Sequence, residues 1–157
     1  MDLEIATQNE FILKDFRSSN YISLINRELE FYFNHHTKIK DSLDLSRMEG
    51  IYLNILKDNP SITQTEISDI LKADAALVSK FTKGLLQKGY VYRKKDTIDK
   101  RKSFLYLTEK AKNNLPEFIK AYEEFNSIAL KSFSKEEHEN LVSLLDKFFI
   151  NIQEVKK

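Results

Sequence analysis

At 157 residues, 41% of them hydrophobic and 31% charged, the chain suits a single domain with a real core and is too apolar for disorder. It has no cysteine, only three histidines and no glycine-rich phosphate loop, which excludes disulfides, thiol redox sensing and zinc–cysteine sites and leaves little to build an active site from. No apolar run is long enough to span a bilayer, and an N-terminus carrying Asp2 and Glu4 lacks the basic start of a secretory signal, so a cytoplasmic protein with no membrane partner is expected.

Residues 1–15 carry Leu3, Ile5, Phe11, Ile12 and Leu13 in a weak helical pattern that leaves an ordered arm and a frayed terminus equally open. From 17 to 36, Tyr21, Ile22, Ile25, Leu29, Tyr32 and Phe33 form one broad stripe, which predicts an amphipathic helix whose apolar face needs a partner. A polar connection over 37–45 follows. Ser46 and Glu49 then stand at capping-box spacing, where hydroxyl and carboxylate each satisfy an orphan backbone donor. Ile51, Tyr52, Ile55 and Leu56 are the expected buried face of that helix, which ends at Asp58-Asn59-Pro60. Gly50 here and Gly84 further on each cost about 1 kcal/mol against Ala in a helix interior, and close helix approach is one reason to keep them.

A second capping box, Thr63 with Glu66, opens a helix whose stripe is Ile67, Ile70 and Leu71. After a polar break at Lys72 to Asp74, Asp74 caps a further helix bearing Leu77, Val78, Phe81, Leu85 and Leu86, and Gly89 stops it. Two helices joined by so short a turn are as often an ordinary helical hairpin as a DNA reader. The next residues shift the balance. Tyr90 to Arg93 and Ser103 to Leu107 read as strands, and the nine residues between them, 94–102, are too polar for a core and too many for a tight turn, which describes a wing. Lys72 to Lys102 holds ten basic residues against three Asp, net +7, in a chain whose total is +1. A basic module on a mildly acidic body is the footprint of a surface that meets a phosphate backbone.

Thr108 to about Phe133 continues in helical spacing through Ala111, Leu115, Ile119, Tyr122 and Phe125, with a bend expected at Pro116. A third capping box, Ser134 with Glu137, opens a last helix. Its Leu141, Leu144, Leu145, Phe148, Phe149 and Ile152 are too many apolar groups for an exposed surface, so a second subunit should cover some of them.

Thr63-Gln64-Thr65-Glu66, Lys88-Gly89-Tyr90-Val91, Arg93, Asp99-Lys100-Arg101 and Leu107-Thr108-Glu109-Lys110 stand in the order and spacing of the MarR family of transcription regulators, which the chain resembles over about a third of its length. Ala111 departs from the Gly usual in the family at that place, with little consequence because Ala suits a helix better. The resemblance implies a mainly α fold with a small β-wing: one domain over 1–157, with a winged helix-turn-helix over 46–107 and dimerisation helices over 17–36 and 108–155. It also implies a homodimer on double-stranded DNA, most readily a ligand-responsive repressor on a palindromic operator. The helix from Asp74 would enter the major groove with Ala75, Ala76, Ser79, Lys80 and Lys83 nearest the DNA. Arg101, oriented by Asp99, would reach the minor groove, and Thr63, Gln64, Arg93, Lys95, Lys100 and Lys102 complete the expected contact set. A small-molecule pocket beside the dimer helices would involve His35, Arg47 and Tyr52. No cofactor or metal is expected: a zinc site of His35, His36 and His138 is disfavoured because adjacent His on one helix point apart. The alternative from another class is a winged helix that binds an acidic protein partner.

Overall fold

The computed structural model describes residues 17–35 and 43–155. Residues 1–15, His36 and most of the 37–45 connection lie outside that range. The elements are α1 (Arg17–His35), α2 (Arg47–Asp58), α3 (Gln64–Leu71), α4 (Ala75–Gln87), β1 (Val91–Lys95), β2 (Ser103–Leu107), α5 (Glu109–Ala129) and α6 (Lys135–Glu154). The fold is thus mainly helical with one two-stranded antiparallel sheet, a winged helix-turn-helix with helices on either side in sequence. It divides within α5 into two compact units, one running through Ile119 and the other starting at Lys120.

All three capping boxes form: the hydroxyls of Ser46, Thr63 and Ser134 accept from the amides of Glu49, Glu66 and Glu137, whose carboxylates accept in return. These are local devices, and each starts a helix where its spacing says it should. At the other end of α4 the chain leaves through a Schellman turn. Tyr90 N–H bonds to Leu85 O at 2.9 Å and Gly89 N–H to Leu86 O at 3.1 Å, with Gly89 at φ 72°, a conformation that costs an L side chain but not glycine.

The core of the first unit is built from Tyr52 and Leu53 of α2, Ile67 of α3, Val78 and Leu85 of α4, Tyr90, Leu105 of β2, and Leu115 and Phe118 of α5, none more than 2% exposed. Packing corrects the expected stripes in four places. On α2 Leu53 joins Tyr52 and Leu56 in the core, while Ile51 and Ile55 are half-buried. Ile70 is exposed because α3 is only eight residues long and Ile67 takes its inward side. Leu77 is likewise exposed, and the buried position on α4 goes to Thr82, a polar residue made tolerable by its hydrogen bonds. Finally, α5 ends at Ala129 rather than Phe133, as Phe133 N–H closes a turn onto Leu130 O at 3.0 Å.

The two interior glycines have different neighbours. A Cβ on Gly50 would lie 2.0 Å from Cζ of Phe118, so α2 meets the Phe118 ring at a distance only glycine allows. A Cβ on Gly84 would lie 3.0 Å from the carboxylate of Glu49, a tight but yielding contact.

The helices outside the module are less covered. On α1 only Phe33 is buried, its ring 5.5 Å from that of Phe118, while Arg47 of α2 ties Glu30 at 2.6 Å. On α6 no residue is buried, and Val142, Leu144, Leu145, Phe149, Ile150 and Ile152 are all exposed.

Candidate nucleic-acid interface

The turn between α3 and α4 is set by Lys72 in the left-handed conformation at φ 50° and by Asp74, whose carboxylate accepts from Leu77 N–H at 2.7 Å. Val78, Thr82 and Leu85 then face inward on α4. Thr82 Oγ1 donates to Val78 O at 2.8 Å, so the Tyr52 hydroxyl, 2.5 Å away, is the donor of their mutual bond. Burial pushes the Tyr52 phenol above its usual pKa, which keeps that donor in place. With the inward face occupied, Ala75, Ala76, Ser79, Lys80 and Lys83 fall on the outward side, all exposed: two methyls, one hydroxyl and two ammonium groups at helical spacing.

The end of α4 is pinned by charge. Lys88 Nζ donates to Glu49 Oε2 at 2.9 Å and to Asp44 O at 2.8 Å. Burial raises the Glu49 pKa, but the Ser46 amide and the Lys88 ammonium outweigh it and hold the carboxyl below its ordinary range. Lys110 Nζ donates to Lys88 O at 2.7 Å, a cation on the helix's carbonyl end, and sits 4.3 Å over the Tyr90 ring. Tyr90 donates to Leu43 O and accepts from Asn114 at 3.2 Å, which joins the loop before α2 to α5.

The hairpin pairs Val91 with Leu107, Arg93 with Leu105 and Lys95 with Ser103. The register therefore carries β1 to Lys95, two residues past the expected strand, and Leu105 N–H adds a bond to Ile62 O at 2.9 Å. Arg93 Nη2 donates to Gln64 Oε1 at 2.5 Å, linking the hairpin to the start of α3. Beyond Lys95, Asp96 Oδ1 accepts from the amides of Ile98 at 2.6 Å and Asp99 at 3.0 Å, which hold its carboxyl below the usual range. Asp99 Oδ1 in turn accepts from Arg101 N–H at 3.1 Å and Nε at 3.2 Å, and the Arg101 side chain is 92% exposed.

Of the ten basic residues from Lys72 to Lys102, all are exposed except Lys88, whose charge is spent inside the molecule. Lys95, Lys100 and Lys102 are exposed on the hairpin; Thr63 spends its hydroxyl on its helix cap, and Gln64 its carbonyl on Arg93. Lys72 and Lys94, outside the expected contact set and counted in the sequence only toward the charge total, are exposed as well.

The expected pocket residues do not converge. His35 borders a cavity of about 480 Å³ with Phe33, Asp44, Leu45, Ser46 and Lys88. Arg47 is engaged with Glu30 and Asn26 instead, and Tyr52 is a core residue with no exposed surface, its hydroxyl on Thr82. Among the described residues no group of side chains is placed to hold a metal ion, and no helix is long and apolar enough to cross a membrane.

Residues 45–103, from the end of the loop before α2 to the start of β2, match the model of the MarR family. The chain is similar to the uncharacterized HTH-type transcriptional regulator YybA of Bacillus subtilis, 31% identical over 84% of this chain and 86% of that one. Among solved structures it resembles a MarR family regulator from Listeria monocytogenes complexed with a 26mer DNA, with a TM-score of 0.76 and 32% identity over 86% of this chain and 88% of that one. A MarR protein from Peptoclostridium difficile superposes with a TM-score of 0.79, at 26% identity over 89% of this chain and 90% of that one.

Proposed function

This chain belongs to the MarR family of DNA-binding transcriptional regulators, which are not enzymes, and from that premise we propose that it is a homodimeric, ligand-responsive repressor acting on a palindromic operator. The observation that carries the reading is the outward face of α4, where short side chains and two lysines stand exposed beside a basic hairpin. Ala75 and Ala76 let the helix approach the major groove closely and meet thymine methyls, Ser79 bonds a base edge or a phosphate, and Lys80 and Lys83 hold phosphates. Lys95, Lys100 and Lys102 hold the backbone beside the wing, while Arg93 braces Gln64 at the start of α3. Arg101, kept in orientation by Asp99, enters the minor groove, where narrow A·T tracts deepen the negative potential.

The exposed apolar faces of α1 and α6 support the dimer, since a second copy would cover them and give two reading heads for two half-sites. A small molecule entering the cavity beside His35 and Lys88 would release the operator if it binds better to a dimer whose heads are wrongly spaced. Selection from random DNA tests the reading. It should yield a palindrome, bound less tightly by Arg101→Ala chiefly at its A·T flanks. Failure to enrich any sequence, with capture of an acidic protein by the same basic face, would favour the protein-interaction alternative.

A further inference from the structure

Ile98 is the most exposed large apolar side chain among the described residues, at 94%. It stands at the tip of the hairpin, in a loop that also bears Lys100, Arg101 and Lys102. Single exposed aliphatic residues are commonplace and need no explanation. This one is held in place: its own N–H and that of Asp99 bond to Asp96 Oδ1, and the loop is closed by Asp96 N–H to Lys102 O at 3.1 Å and Lys102 N–H to Asp99 O at 2.9 Å. Nothing in the fold asks for isoleucine there. The side chain buries almost nothing in its own chain, its φ is not left-handed, and a β-branched apolar residue runs against ordinary turn chemistry.

A fixed apolar tip among cations fits a polyanion that offers an apolar recess. The minor groove of DNA is such a surface, walled by sugars, and at A·T pairs its floor carries acceptors only. We propose that Ile98 packs into the minor groove and selects A·T over G·C there, because the guanine N2 amino group would meet its methyls with no acceptor to bond. This rests on the operator-binding reading above and adds to it a residue that discriminates by shape and desolvation rather than by charge.

The test uses the full-length protein and the selected operator with three flanks facing the wing: A·T, G·C, and inosine·C, which keeps the pair but removes the N2 amino group. Wild type should bind the A·T and inosine·C flanks alike and the G·C flank about tenfold more weakly, the usual scale for one unfavourable base pair. Ile98→Ser should lose several-fold of that discrimination while its salt dependence stays unchanged, since no charge is lost. Ile98→Leu should keep the discrimination. If Ile98→Ser discriminates as well as wild type, the inference fails while the operator reading stands; if wild type binds no DNA specifically, the operator reading itself fails.

Discussion

The module from α2 to the first half of α5 and the last helix, α6, are built from similar proportions of apolar and charged residues, yet they end in opposite states. The module closes around Tyr52, Leu53, Ile67, Leu85 and Tyr90, all with no exposed surface, whereas α6 buries no residue and exposes Leu144, Leu145, Phe149 and Ile150. Apolar content is therefore not what separates them. The module's stripes face one another, whereas among the described residues none of α6 is buried. On the reading proposed above, a second copy would cover this capped but coreless helix.

The sharpest way to break this contrast is a charge on the uncovered face. Leu145→Asp should separate the subunits in sedimentation and lower operator affinity by about a hundredfold or more, the scale on which linked half-sites exceed single ones. Helical content should not change, because Leu145 is 47% exposed within its own chain. A variant that stays dimeric would remove α6 from the interface.

Inside the module the expected effects are on stability. Gly50→Ala forces a methyl onto the Phe118 ring and should cost about 1–3 kcal/mol in denaturant unfolding, the range of overpacking. Gly84→Ala meets only a carboxylate tip, and its gain in helix propensity of about 1 kcal/mol should offset the contact, leaving the protein close to wild type. Equal losses at the two sites would contradict the packing described for Phe118.

These two glycines mark how far the sequence could be read. Both could be flagged as misplaced in a helix, but the reason lies in residues 68 and 35 positions away, Phe118 and Glu49, which no local pattern connects to them. Features that depend on a few neighbouring residues were legible: the three capping boxes, the glycine stop at Gly89, the wing and the family motifs. Burial set by distant partners was not. Thr82 looked polar and is core; Tyr52, expected in the buried face, is indeed core, and so has no surface for the ligand also expected there. Lys88 counted toward the basic surface, yet it ends on Glu49, 39 positions earlier in the chain.

Lys88→Met should therefore act on folding rather than on phosphate contacts. It strands the Glu49 carboxylate, whose side chain is 9% exposed, and should cost about 1–2 kcal/mol, less than a fully buried pair because Lys88 itself is 29% exposed. The salt dependence of DNA binding should be unchanged, whereas Lys83→Ala should lower its slope by about one. A reduced slope in Lys88→Met would return that lysine to the DNA surface.

The smallest effect expected is on pH. The Glu49 carboxyl is held below the ordinary glutamate value of 4.5, and the Glu66 and Glu137 caps shift the same way. A carboxyl whose pKa is lower folded than unfolded contributes its stabilisation fully above the unfolded value and loses it as the pH falls through the folded one. Unfolding midpoints should thus be flat above about pH 5 and decline below it. Glu49→Gln should decline less steeply, and an unchanged decline would mean that Glu49 is not the group that titrates.

One measurement bears on both halves of the comparison: a hydroxyl-radical footprint on the selected operator. If the module reads DNA and the uncovered helices pair two copies, the protection should be twofold symmetric, with two major-groove sites about one helical turn, roughly 10 base pairs, apart. Minor-groove protection should appear on the outer side of each, where the wings lie. A single unsymmetric patch, or protection that disappears at physiological salt on every sequence, would contradict the account.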